Sequence, residues 1–137
     1  MKLKTVITEL TLEDLSTFFS TALTGSFWAG VDYPAELIEH KSEIKEKDDY
    51  LETVISKWLM KDPNNYIIIY DIESDYDEEN NSVLGEDYWK LTLKDLVKGW
   101  EKAYINNNGK LPPLDEMDLC DADEVLQTAL FGEVVFG

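Results

Sequence analysis

The hydrophobic positions of this chain switch repeatedly between strand-like runs and helical spacing, and the switches coincide with turn and capping residues. Residues 3–10, LKTVITEL, are rich in Thr, Val and Ile and predict a first strand. Thr11 then opens a helix, with Thr11 and Asp14 spaced as a capping box and Leu10 and Leu15 as its hydrophobic staple. Leu12, Leu15, Phe18, Phe19, Ala22 and Leu23 follow at helical spacing until Gly25. Residues 26–34, SFWAGVDYP, predict an extended or looped connection with its aromatics tucked beneath that helix. From Pro34 to Lys47 a weakly apolar helix is expected, with Leu37, Ile38 and Ile44 on one side and Glu36, Glu39, Glu43 and Glu46 on another. Leu51, Val54, Ile55, Trp58 and Leu59 form a stronger stripe, stopped by Asp62-Pro63. One bent helix and two separate helices fit residues 34–60 equally.

Residues 66–72, YIIIYDI, are a continuous apolar run of strand length and predict a central strand. An acidic loop follows at 73–81. A strand at 87–91 leads into a helix that starts at Thr92 and turns Leu93, Leu96, Val97, Trp100, Ala103 and Tyr104 inward. Asn106 to Pro113 is a breaker cluster. The last helix is expected to use Asp121 and Glu124 as its capping box, to bury Val125, Leu126, Ala129 and Leu130, and to end at Gly132 before a short strand at 134–136. ELTLEDL at 9–15 and KLTLKDL at 90–96 share one layout, strand, Thr-x-x-Asp cap and helix, which two junctions with the same capping chemistry explain. The pattern predicts a single globular domain over 1–137 of α+β class, with a small, mostly antiparallel sheet of three to four strands packed against three to five helices.

Charge narrows the partners. Twenty-nine Asp and Glu against twelve cationic residues leave a net charge of −17, and every cation is a lysine. A field of that sign opposes direct binding to nucleic acid or to an anionic membrane and favours basic partners. The single cysteine, Cys120, cannot form an internal disulfide, the first residues lack the apolar centre of a signal peptide, and no run reaches the roughly 18 apolar residues of a membrane span. A cytoplasmic location is expected.

The residues limit the chemistry as well. His40 is the only histidine and lies in Glu39-His40-Lys41 on the polar part of a charged helix, a solvated position rather than the base of a nucleophilic triad. Cys120 is expected as a partly buried contact of Val125, since neighbouring carboxylates oppose a reactive thiolate. The seven glycines form no phosphate-binding loop. One Cys and one His cannot build a zinc site. Asp75, Asp77 and Glu79 alternate with Glu86 at the twelfth place, as in a calcium loop, but Asn80 stands where glycine is required, so only loose cation screening is expected. No cofactor and no metal are called for.

The remaining signal is the crowding of acids. Asp71, Glu73, Asp75, Asp77, Glu78 and Glu79 fall within nine residues, and Asp115, Glu116, Asp118, Asp121, Asp123 and Glu124 within ten. Glu36, Glu39, Glu43 and Glu46 step by three or four, which sets successive carboxylates about 4.5–6 Å apart along a helix, close to the spacing of phosphates. Mimicry of duplex DNA and a solvated surface paired with Lys41, Lys45 and Lys47 are the two accounts of that face.

EDYWKLTLKDLVKGWEKAY at 86–104 and DADEVLQTALFGEVVFG at 121–137 resemble a family of small acidic proteins encoded by bacteriophages and prophages. TALTGSFWAG at 21–30 is similar to that family's N-terminal helix ending, where an Ala-Leu-x-Gly-Gly turn precedes an aromatic pair; here Thr24-Gly25-Ser26 has one glycine fewer. The family brings no activity with it, and the resemblance implies a mobile-element origin and expression inside a bacterial cell. The motif residues themselves read as core, with Phe131 or Phe136 as the exposed member open to a partner. The expected function is a non-enzymatic acidic protein that binds a basic surface of a host protein, as a nucleic-acid mimic inhibiting a defence enzyme. The alternatives are a carboxylate-based hydrolase or metal-dependent enzyme, which needs a concave site holding two or more acids, and a virion assembly component.

Overall fold

Two reciprocal hydrogen-bond pairs set the frame. At Thr11 the backbone N–H donates to Asp14 Oδ2 at 3.2 Å, and the Asp14 N–H returns to Thr11 Oγ1 at 3.1 Å. At Thr92 the same exchange is made with Asp95, at 3.4 and 3.2 Å. Each pair satisfies N–H groups that the first turn of a helix leaves without a partner, so the two echoed sequences are two instances of one cap. The computed structural model describes residues 10–24, 26–44, 46, 49–72, 76–77, 82–83 and 88–136. The strand expected at 3–10 lies outside them except for Leu10.

The elements in chain order are α1 (Leu12–Thr24), β1 (Ala29–Asp32), α2 (Ala35–Ile44), α3 (Leu51–Lys61), β2 (Tyr66–Asp71), β3 (Tyr76–Asp77), β4 (Ser82–Val83), β5 (Tyr88–Thr92), α4 (Leu93–Asn106), a 3-10 turn (Leu114–Glu116) and α5 (Leu119–Phe131). β2 is central, flanked on both sides by antiparallel partners in the order β1-β2-β5, and β3 and β4 pair as a separate two-stranded ribbon. This is an α+β fold, as the hydrophobic pattern implies. Among the described residues no helix is long and apolar enough to cross a membrane.

Alternation along the strands makes the sheet two-faced. Ile67, Ile69 and Leu91 are fully buried and meet the helix layer. Their neighbours Tyr66, Ile68, Tyr70, Tyr88, Lys90 and Asp32 project to the other side, and none of them is fully buried. Beneath the inner face, α1 contributes Leu15, Phe18, Phe19 and Ala22, and α3 contributes Val54, Ile55, Trp58 and Leu59. The Trp58 indole N–H donates to the Tyr66 carbonyl at 3.0 Å, which ties the end of α3 to the start of β2.

Three expectations about these elements change, and one alternative left open is resolved. The connection at 26–34 contains β1, because the backbone of a buried central strand needs a partner on both sides; Ala29 to Asp32 supply it, and the Ile72 N–H extends the pairing to the Trp28 carbonyl. Residues 34–60 form two helices. α2 stops at Ile44, and Glu46 lies in a turn closed by its own N–H donating to Asp49 Oδ2. The acidic loop holds β3. The cap of α5 is Asp118, one turn before the expected box, and accepts the Asp121 N–H at 2.8 Å. That earlier start carries Cys120 round to an exposed position instead of a partly buried one.

α4 and α5 make the closest helix pair. Gly99 faces Ala129 so tightly that a Cβ built on it would stand 2.5 Å from the Ala129 backbone. Backbone cannot step aside as a flexible side chain would, so Gly99→Ala is expected to cost about 1–3 kcal/mol of stability. Urea denaturation measures it, with the exposed Lys98→Ala expected to stay within about 0.5 kcal/mol of the parent.

Candidate interaction surfaces

The acidic positions are held on short helical elements. Glu36, Glu39 and Glu43 are all exposed on α2, at the three- and four-residue steps that keep them on one side. Glu46 is exposed but lies past the helix end, so the expected ladder of four is a ladder of three followed by a turn residue. Asp115, Glu116 and Asp118 are exposed around the 3-10 turn and the start of α5. Asp71 closes β2 half-buried. Asp77 gives its backbone to β3, while Glu73, Asp75, Glu78 and Glu79 lie outside the described residues. Among the described residues the ion pairs are Lys57–Asp49 at 2.6 Å and His40–Glu43 at 3.1 Å. Lys41, expected to pair with a neighbouring glutamate, sits instead over the Tyr33 ring, 5.0 Å from its centre. His40 is solvent-facing as expected and stacks on Trp58.

Proton affinities respond to these surroundings. Burial pushes the Asp32 carboxyl up, against the hydrogen bond it accepts from the Tyr33 N–H. Tyr33 is raised by burial and by the nearby Glu52 charge. Asp121 is raised by burial first and by the adjacent Asp118 second. Among the described residues no group of three or more His, Cys, Asp or Glu side chains could hold a metal ion.

Several cavities bordered by described residues open on the surface. One of about 430 Å³ lies between α1 and α3 and is lined by hydroxyls of Ser16, Thr17, Ser20, Thr21 and Thr53 with Tyr50 and Glu52. His40, Trp58, Lys61, Asp62 and Asn65 line one of about 220 Å³. Asp32, Tyr66, Ile68, Tyr88 and Lys90 line one of about 260 Å³ on the outer sheet face. Phe27, Trp28, Asp71 and Phe136 line the last, about 170 Å³.

That last cavity adjoins a polar cluster centred on α5. Asp123 on α5 takes two donors: the Trp28 indole N–H at 2.6 Å on Oδ1 and the Gln127 Nε2–H at 2.6 Å on Oδ2. Gln127 is 0% exposed. Its Nε2 also donates to the Phe136 carbonyl at 2.9 Å, and its Oε1 accepts the backbone N–H groups of Val135 and Phe136 at 2.7 Å each. The side chain thus does for residues 134–136 what a neighbouring strand would do, and those residues are not the short strand expected. Gly132, in the left-handed region at φ 79°, turns the chain back over α5, and Lys102 Nζ donates to the Gly132 carbonyl at 2.6 Å. Phe136 then lies flat on Trp28, with ring centres 4.6 Å apart and planes 8° from parallel. Trp89 and Phe131 complete the cluster edge-on, 4.8 Å apart.

Phe131 and Phe136 therefore turn inward, contrary to the expectation that one of them faces solvent. The apolar side chains that do face solvent nearby are Phe27, Val134 and Val135, at 58%, 53% and 56% exposure. Sequence spacing gave no sign of Gln127, which reads as one polar residue on an amphipathic helix. Its only trace is that position 127 shares the buried side of α5 with Ala122, Val125 and Leu126.

The segment is held with little to spare. Burial of the Phe136 ring contributes about 1.5–3 kcal/mol and three hydrogen bonds to a neutral amide about 0.5–1.5 kcal/mol each. Fixing the backbone of Glu133 to Phe136 costs about 1–2 kcal/mol per residue, so the two sides nearly balance.

Compared with family models, with curated proteins and with solved structures, the chain matches none.

Gln127→Leu keeps the volume and removes every one of these hydrogen bonds. It is expected to lower the unfolding free energy by about 1–3 kcal/mol and to change tryptophan fluorescence as Phe136 leaves Trp28. Unchanged stability and emission would contradict the role given to the amide.

Proposed function

We propose that this is a non-enzymatic acidic interaction protein, of phage or prophage origin, that occupies a basic surface on a host protein of the bacterial cytoplasm. A nucleic-acid-binding enzyme of a defence system is the target class whose surface fits best, because such an enzyme keeps a cationic groove for phosphates. One observation carries this reading. Glu36, Glu39, Asp115, Glu116 and Asp118 are all exposed, and among the described residues none of them has a lysine within ion-pair distance. Charge held in this way against its own repulsion lowers stability unless something cationic covers it.

The resemblance of residues 86–104 and 121–137 to acidic phage-encoded proteins supports the same setting. A carboxylate-based hydrolase would need two acids facing one cavity, whereas among the described residues each of the four cavities above is lined by one. An assembly role in a virion rests on the resemblance alone.

The test is a pull-down from bacterial lysate at low and high salt, using the parent chain and a variant with Glu36, Glu39, Asp115 and Glu116 all changed to Lys. A basic protein retained by the parent, released by salt and not retained by the folded variant is the expected result. The same protein held equally by both chains would overturn the assignment.

A further inference from the structure

The receptor half of the Gln127 cluster is built from residues outside the segment it holds. Asp123 fixes the Trp28 ring through Oδ1 and the Gln127 amide through Oδ2, and all three side chains belong to α5 or to the lead into β1. Trp89, from β5, and Phe131, the last residue of α5, supply two more walls. What lies on this surface is an extended piece of backbone read in the way peptide-binding domains read their ligands: two N–H groups and one carbonyl recognised by a buried amide, and one aromatic ring seated on an indole. The piece is short, its Val134 and Val135 side chains are more than half exposed, and it joins α5 through a left-handed glycine. Asp71 lines the adjoining cavity, and Lys102 holds the Gly132 carbonyl where the segment begins.

We propose that this groove, walled by Trp28, Trp89 and Phe131 and floored by Gln127, is a peptide-docking site. The protein's own Glu133–Phe136 segment occupies it in cis, and an extended segment of a partner protein takes it in trans. The chemistry defines the partner segment: an aromatic residue for the Trp28 face, an aliphatic residue before it, free backbone N–H groups at both, and lysine or arginine alongside, which the net charge of −17 attracts. This goes beyond the acidic-surface reading, since the anchor is an aromatic ring and a hydrogen-bonded backbone. Loss of the carboxylates of α2 would leave it in place.

The experiment titrates a synthetic Gly-Glu-Val-Val-Phe-Gly peptide into two folded variants, one ending at Gly132 and one carrying Phe136→Ala in the full chain, with tryptophan emission as the readout. Both variants are expected to bind saturably, with emission returning toward that of the parent. The parent should bind about tenfold more weakly, because its own segment holds the site. Replacing Phe in the peptide by Ala should cost about tenfold or more in affinity, and replacing Glu by Lys should raise affinity at low salt. No saturable binding to either variant, equal binding by the parent, equal binding of the Ala peptide, or failure of both variants to fold would each overturn the proposal. A concentration-dependent dimer of the parent that Phe136→Ala abolishes would overturn the partner segment in favour of exchange between two copies.

Discussion

One carboxylate, Asp123, receives the Trp28 indole N–H and the Gln127 amide N–H, and α5 is joined through it to the segment that leads into β1. A side-chain amide at 0% exposure is tolerable only when its donors and acceptor are all engaged, because a buried polar group without a partner costs more than a good hydrogen bond returns. Gln127 meets that condition by taking backbone groups of Val135 and Phe136. The path of residues 132–136, the seating of Phe136 on Trp28 and the orientation of the segment leading into β1 all follow from it. Three stretches far apart in sequence send residues to this cluster: Trp28 from 21–30, Trp89 from 86–104, and Asp123, Gln127, Phe131 and Phe136 from 121–136.

Charge acts on a different part of the molecule. Glu36, Glu39 and Glu43 stand on α2, which packs against α3 away from the aromatic cluster's own contacts, and Asp115, Glu116 and Asp118 stand at the entry to α5. With a net charge of −17 the protein repels polyanions at long range, and salt weakens that field over about 10 Å. The exposed carboxylates and the aromatic cluster around Trp28 stand on separate residues, so charge and aromatic packing can be altered independently.

What the sequence made legible were the features whose signals are local. Thr11 with Asp14 and Thr92 with Asp95 announce their caps because the partners stand three residues apart, and β2 announces itself because a strand buried at the centre of a sheet carries a continuous apolar run. β1 was hidden because four residues with a glycine make too short a pattern, and its existence is dictated by the pairing needs of β2. The break after Ile44 depends on a side chain, Asp49, reaching back to Glu46, and helical periodicity carries no trace of it. The same holds for the candidate sites. Exposure of Glu36, Glu39, Glu43, Asp115, Glu116 and Asp118 followed from charge and helical phase. The Gln127 cluster did not, because Trp28 and Asp123 are 95 residues apart and only the fold brings them together.

Amide hydrogen exchange at single residues tests the central claim most directly, because the Val135 and Phe136 N–H groups have Gln127 Oε1 as their partner and, among the described residues, no strand paired with them. The account predicts both amides to exchange more slowly than those of Glu133 and Val134 in the parent, and to lose that protection when Gln127 is replaced by Leu. Equal, unprotected exchange across residues 133–136 in the parent would contradict it.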